Sequence, residues 1–70
     1  MMKMEDLPDV EVYFASDKLS GVAAISEFID EPKRRTYYLL ERGIIPAGKL
    51  GNIWIASKAT LRRHYANLTG

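Results

Sequence analysis

The chain has no cysteine, so neither a disulfide nor a thiolate-held zinc can support it. It has a single histidine, His64, and no His, Asp and Glu spacing that would assemble a metal-ligand set. No nucleophile stands beside a base in a recognisable pattern. The expectation is therefore a protein without catalytic residues, metal or cofactor, and not an enzyme. Long apolar runs are also missing: none approaches the roughly 20 residues of a membrane span. No apolar stretch follows Met1-Met2-Lys3-Met4-Glu5-Asp6 that would serve as a secretion signal. A cytoplasmic location with no membrane partner is expected. Net charge is scarce as well, only +1, which at first argues against a nucleic-acid partner. What is present is modest: 70 residues, 47% hydrophobic, enough for one domain with one small and marginal core.

The small net charge conceals a division. Residues 1–31 carry eight acids against two bases, a balance of −6. Residues 32–70 carry eight bases against one acid, Glu41, a balance of +7. An acidic segment followed by a basic half suggests a basic binding surface.

The chain divides into an acidic N-terminal arm, residues 1–18, and a folded unit, residues 19–70. Within the arm, Val10, Val12 and Phe14 alternate with Glu11 and Tyr13, the period of a short strand. Ser16 to Ser20 offers helix caps, with Ser20 the last before Val22, Ile25, Phe28 and Ile29 recur at helical spacing. The pattern predicts a first helix over 21–29. After Asp30-Glu31, Pro32 suits the first position of a second helix, 32–42, which Gly43 ends. Thr36, Leu39 and Leu40 share its apolar side. Arg34, Tyr38 and Glu41 lie opposite, and Tyr37 lies on a flank with Lys33, as apt to pack at the core edge as to face outward. Two strands, 47–50 and 53–56, flank the hairpin signal Gly51-Asn52. Ser57 then caps a third helix, 58–68, whose inner stripe is Leu61, Tyr65 and Leu68. Trp54 is expected in the core.

The resulting fold class is mainly α with a small hairpin. Two short helices joined by so brief a link form a helix-turn-helix, and the hairpin after it is a wing; the arm adds a short strand at most. In such a unit the second helix enters the DNA major groove by its N-terminal residues. Here those are Lys33, Arg34 and Arg35, three cations at the positive end of a helix dipole. They disfavour that position by a few tenths of a kcal/mol each unless an anion offsets them. Tyr38 and Arg42 extend the same side, and Lys49 and Asn52 stand at or near the wing tip. Lys58 and Arg62 are secondary candidates for phosphate contact.

The run Leu40-Glu41-Arg42-Gly43-Ile44-Ile45-Pro46-Ala47-Gly48-Lys49-Leu50-Gly51-Asn52-Ile53-Trp54 resembles the segment shared by excisionase-like winged-helix proteins. In these a helix ends in Gly, followed by Pro-Ala, Lys, an aliphatic residue, Gly, and Trp three places later. Pro32-Lys33-Arg34-Arg35-Thr36 and Val22-Ala23-Ala24 extend the resemblance, which covers about residues 19–68. The end of the second helix is also similar to that of the MerR superfamily. The resemblance implies a winged helix-turn-helix and sequence-directed binding of double-stranded DNA. The function implied is that of a recombination directionality factor, binding beside the attachment site of a site-specific recombinase and bending or coating DNA. A transcription regulator of mobile-element genes is the nearest alternative. A protein-interaction or phage packaging adaptor of the same fold is the other.

Two positions depart from the pattern. Ile53 replaces a basic or polar wing residue, and Ile44 replaces a polar one. Apolar side chains left exposed there, together with Val10, Val12 and Phe14, suggest self-association, head to tail along DNA.

Overall fold

The computed structural model describes residues 16–70. They form three helices and a three-stranded antiparallel sheet: β1 (Lys18–Ser20), α1 (Gly21–Ile29), α2 (Lys33–Glu41), β2 (Gly48–Leu50), β3 (Ile53–Ser57) and α3 (Lys58–Thr69). The strand expected over Val10–Phe14 lies outside the described residues.

The first helix occupies the span its apolar period predicts. Ser20 is its N-cap residue but makes no side-chain capping bond. The helix ends at Asp30, in the left-handed region at φ 61°, where a short polar side chain is tolerated. The backbone N–H groups of Asp30 and Glu31 both reach the Ser26 carbonyl, so the chain turns at once towards α2.

Pro32 stands one place earlier than expected. It is the N-cap of α2 rather than its first helical residue, and its carbonyl accepts the first helical bond, from Thr36 N–H at 2.9 Å. The far end follows the rule for a glycine stop. Gly43 has φ 69°; its N–H donates to the Leu40 carbonyl (3.1 Å) and the Ile44 N–H to the Leu39 carbonyl (2.9 Å). These are the paired bonds of a Schellman motif, which needs a residue free to adopt positive φ.

β2 and β3 pair with Leu50 opposite Ile53, leaving a two-residue loop, Gly51-Asn52. Gly51 is left-handed (φ 66°) and Asn52 is not, the pattern of a II′ turn. β1 was not expected: Lys18–Ser20 reads as helix-capping chain, yet it pairs with β3, Leu19 opposite Ala56. With only one of its three residues buried, it carries no visible period. The strand order is β1-β3-β2, so β3 is central.

The core comprises Leu19, Ile25, Leu40, Ile45, Ala56 and Leu61, with Phe28, Leu39, Trp54 and Tyr65 packed against it. Complete burial of Ile25 and Leu61 contributes roughly 1.5–3 kcal/mol each. Leu68 does not join its expected stripe; it is 66% exposed, and its neighbours in the last turn of α3 are exposed too.

A cap from outside the helix fixes α3. Ser57 Oγ accepts from Thr60 N–H (3.2 Å), as a local N-cap should. Asp17, forty residues earlier, adds a second acceptor: its Oδ1 takes the Ala59 N–H (2.9 Å) and its Oδ2 the Ser57 hydroxyl (2.5 Å). One carboxylate thereby joins the start of β1 to the start of α3.

Candidate nucleic-acid interface

The first turn of α2 holds Lys33, Arg34 and Arg35, all exposed, with no acid among its residues and no side-chain cap. The backbone N–H groups of that turn have no helical acceptor, so partial positive charge adds to three cations. Arg35 is partly neutralised: its Nε lies 3.3 Å from Glu31 Oε1, an exposed pair four residues apart. Such pairs contribute a few tenths of a kcal/mol. No salt bridge engages Lys33 or Arg34 among the described residues.

One turn further along, Tyr38 is half exposed and the Arg42 guanidinium stacks over its ring, 5.3 Å from the centroid. Arg42 is thus held along the same side as Tyr38. Of the two positions open to Tyr37, the structure shows the outward one. It is 51% exposed, and its hydroxyl donates to Glu41, whose hydrogen bond and charge raise the tyrosine pKa above 10.0. The exposed side of α2 therefore holds two tyrosines, one beside a cation and one beside an anion. Spacing of four residues could have revealed both these links and the Glu31–Arg35 pair.

At the hairpin, Asn52 occupies the exposed turn. Lys49 is near the tip, one pair back from the Leu50–Ile53 pair that closes the turn. It pairs across the strands with Trp54, and its Nζ lies 5.1 Å from the indole ring centroid. Trp54 is half-buried against the core rather than enclosed in it, and its Nε1 has no partner among the described residues.

Lys58 and Arg62 belong to a different neighbourhood. The Arg62 guanidinium stacks over Phe28 of α1 at 5.4 Å. The Asp17 pKa is held below its ordinary value of 3.8, first by the Ser57 hydroxyl, then by the Ala59 N–H, with smaller contributions from Arg62 and Lys58. These two cations act on groups inside the domain. His64 packs edge-on against Tyr65, ring centroids 5.5 Å apart. No group of three His, Asp or Glu side chains that would hold a metal occurs among the described residues. No helix among them is long and apolar enough to cross a membrane.

The arrangement thus separates the predicted cations. Lys33, Arg34, Arg35 and Tyr38 lie on α2 and Arg42 is its C-cap residue, with Asn52 on the turn of the hairpin that follows. Ile44, Leu50 and Ile53 are exposed apolar residues, at 47%, 71% and 52%. Comparison with protein-family models, with curated proteins and with solved structures gives no match to this chain.

Proposed function

We propose that the protein is a sequence-directed binder of double-stranded DNA with a winged helix-turn-helix architecture. In this reading α1 and α2 are the helix-turn-helix, α2 is the recognition helix and the β2–β3 hairpin is the wing. The observation that carries it is the first turn of α2: three exposed cations at the positive end of a helix, two of them without a salt bridge among the described residues. Isolated, that arrangement is unfavourable, and a phosphate backbone offsets it.

The mechanism needs no chemistry by the protein. Lys33 and Arg35 neutralise phosphates and set the register. Arg34, on the outward side of the helix, is placed to read the O6 and N7 of a guanine in the major groove. Tyr38, stiffened by Arg42, offers an apolar ring to a thymine methyl or a hydroxyl to phosphate. Asn52 reaches the backbone from the wing. Lys49, drawn over Trp54, must leave the ring to do the same.

The excisionase-like pattern around Gly43, Pro46, Lys49, Gly51 and Trp54 favours a recombination directionality factor that works beside a site-specific recombinase. An excision assay with that recombinase separates this role from transcription regulation.

DNA binding itself is tested by equilibrium binding to duplex DNA from about 50 to 200 mM salt. The expected result is a log affinity that falls linearly with log salt. No binding, or binding indifferent to salt, overturns the reading.

A further inference from the structure

The acid that pairs with the cations of α2 stands outside their helix. Glu31 precedes Pro32, the N-cap residue, and no acid follows in the first turn. The backbone holds Glu31 in place. Its N–H donates to the Ser26 carbonyl at 3.0 Å, in the turn that left-handed Asp30 makes between α1 and α2. Its Oε1 lies 3.3 Å from Arg35 Nε. The two side chains are unequally exposed, Glu31 at 35% and Arg35 at 66%. The carboxylate is the more enclosed of the two, and the guanidinium is the more open to an incoming group. Both stand near Tyr65 of α3, whose pKa burial raises above 10.0, Glu31 raises further and Arg35 lowers.

A guanidinium binds carboxylate and phosphate oxygens through the same N–H donors. Glu31 thus supplies, from within the chain, the anion that the first turn of α2 otherwise lacks. Lys33 and Arg34 have no salt bridge of this kind among the described residues.

We propose that Glu31 is an internal competitor for phosphate, a positioning residue that sets how strongly Arg35 engages DNA. The inference rests on the reading of α2 as the recognition helix. In the free protein Arg35 is bonded to Glu31. On DNA a phosphate oxygen takes the guanidinium, and the carboxylate left beside it repels that phosphate. Affinity is lowered on every sequence alike, because phosphates carry no sequence information.

The test is equilibrium binding of the full chain to two duplexes, one selected from a random library and one unrelated, from about 50 to 200 mM salt. Glu31→Gln keeps the shape of the side chain and removes its charge. The expected result is a gain in affinity of roughly two- to threefold at the low-salt end, equal for both duplexes. The salt slope should steepen by up to about 0.9. Two controls separate this from a change in overall charge. Glu27→Gln removes the same charge from α1, where Glu27 is exposed and has no salt bridge among the described residues, and should leave affinity unchanged. In an Arg35→Ala background, Glu31→Gln should add nothing. No gain in Glu31→Gln, an equal gain in Glu27→Gln, or a gain that persists without Arg35 would each overturn the proposal. If the parent chain binds duplex DNA, those results remove this inference alone. If it binds none, the DNA reading fails and this inference with it.

Discussion

At the scale of single residues, Thr36 and Arg34 show how one helix divides its work. Thr36 is fully buried, and its Oγ1 has no hydrogen-bond partner among the described residues. A buried hydroxyl without a partner costs on the order of 1–3 kcal/mol. Thr36→Val preserves the branched shape and removes the polar atom. The expected outcome is a rise in stability of about 1 kcal/mol, read as a higher denaturation midpoint with an unchanged slope. A lower midpoint would show that the hydroxyl is satisfied after all. Arg34, two positions earlier and outside, has the opposite character: its removal should leave the fold intact. Arg34→Ala is expected to weaken binding to the preferred DNA sequence by about 1–3 kcal/mol and to relax the preference at one base pair. Arg35→Ala, which also removes the ion pair with Glu31, should lower affinity for all sequences alike.

At the scale of elements, the least local connection is the one between β1 and α3. Asp17 accepts two hydrogen bonds that lower its pKa from 3.8. Because the folded value lies below the unfolded one, its contribution is fully present above the unfolded value. It is lost as pH falls from there through the folded value. Acid unfolding should therefore include a component below the ordinary aspartate range. Asp17→Asn should lower the midpoint at neutral pH and flatten the pH dependence in that window. An unchanged acid profile would show that the carboxylate holds nothing.

This connection also shows where sequence reasoning ends. The spans of α1 and α3, the Gly43 stop and the Gly51-Asn52 turn were legible because each depends on neighbours within a few residues. β1 was not, since a three-residue strand with one buried side chain has no measurable period. Nor was the Asp17 cap, whose partners are forty residues away. The candidate site was legible as far as residue type: the cations of α2 are exposed as expected. What they touch was not. Lys49 turned to Trp54 and Arg62 to Phe28 because aromatic faces attract cations across strands and between helices. Leu68 fits a helical stripe, but a stripe cannot tell where the opposing surface stops.

At the scale of the whole molecule, the two halves of the charge distribution acquire different meanings. In the basic half, Lys58 and Arg62 act on Asp17, and Arg62 also on Phe28. Lys49 covers Trp54. Lys33 and Arg34 at the start of α2 face outward with no salt bridge among the described residues, as does Arg63 on α3, but only the first two stand together at the positive end of a helix. A near-zero net charge is thus compatible with a strongly biased surface, and that surface is the central claim. It is tested most directly by following backbone amide shifts while a duplex of the preferred sequence is added at low salt. The account predicts changes concentrated at residues 33–38, at Arg42 and around Asn52, reversed when salt is raised. Shifts confined to the exposed side of α3 around Arg63, or no shifts at all, would contradict it.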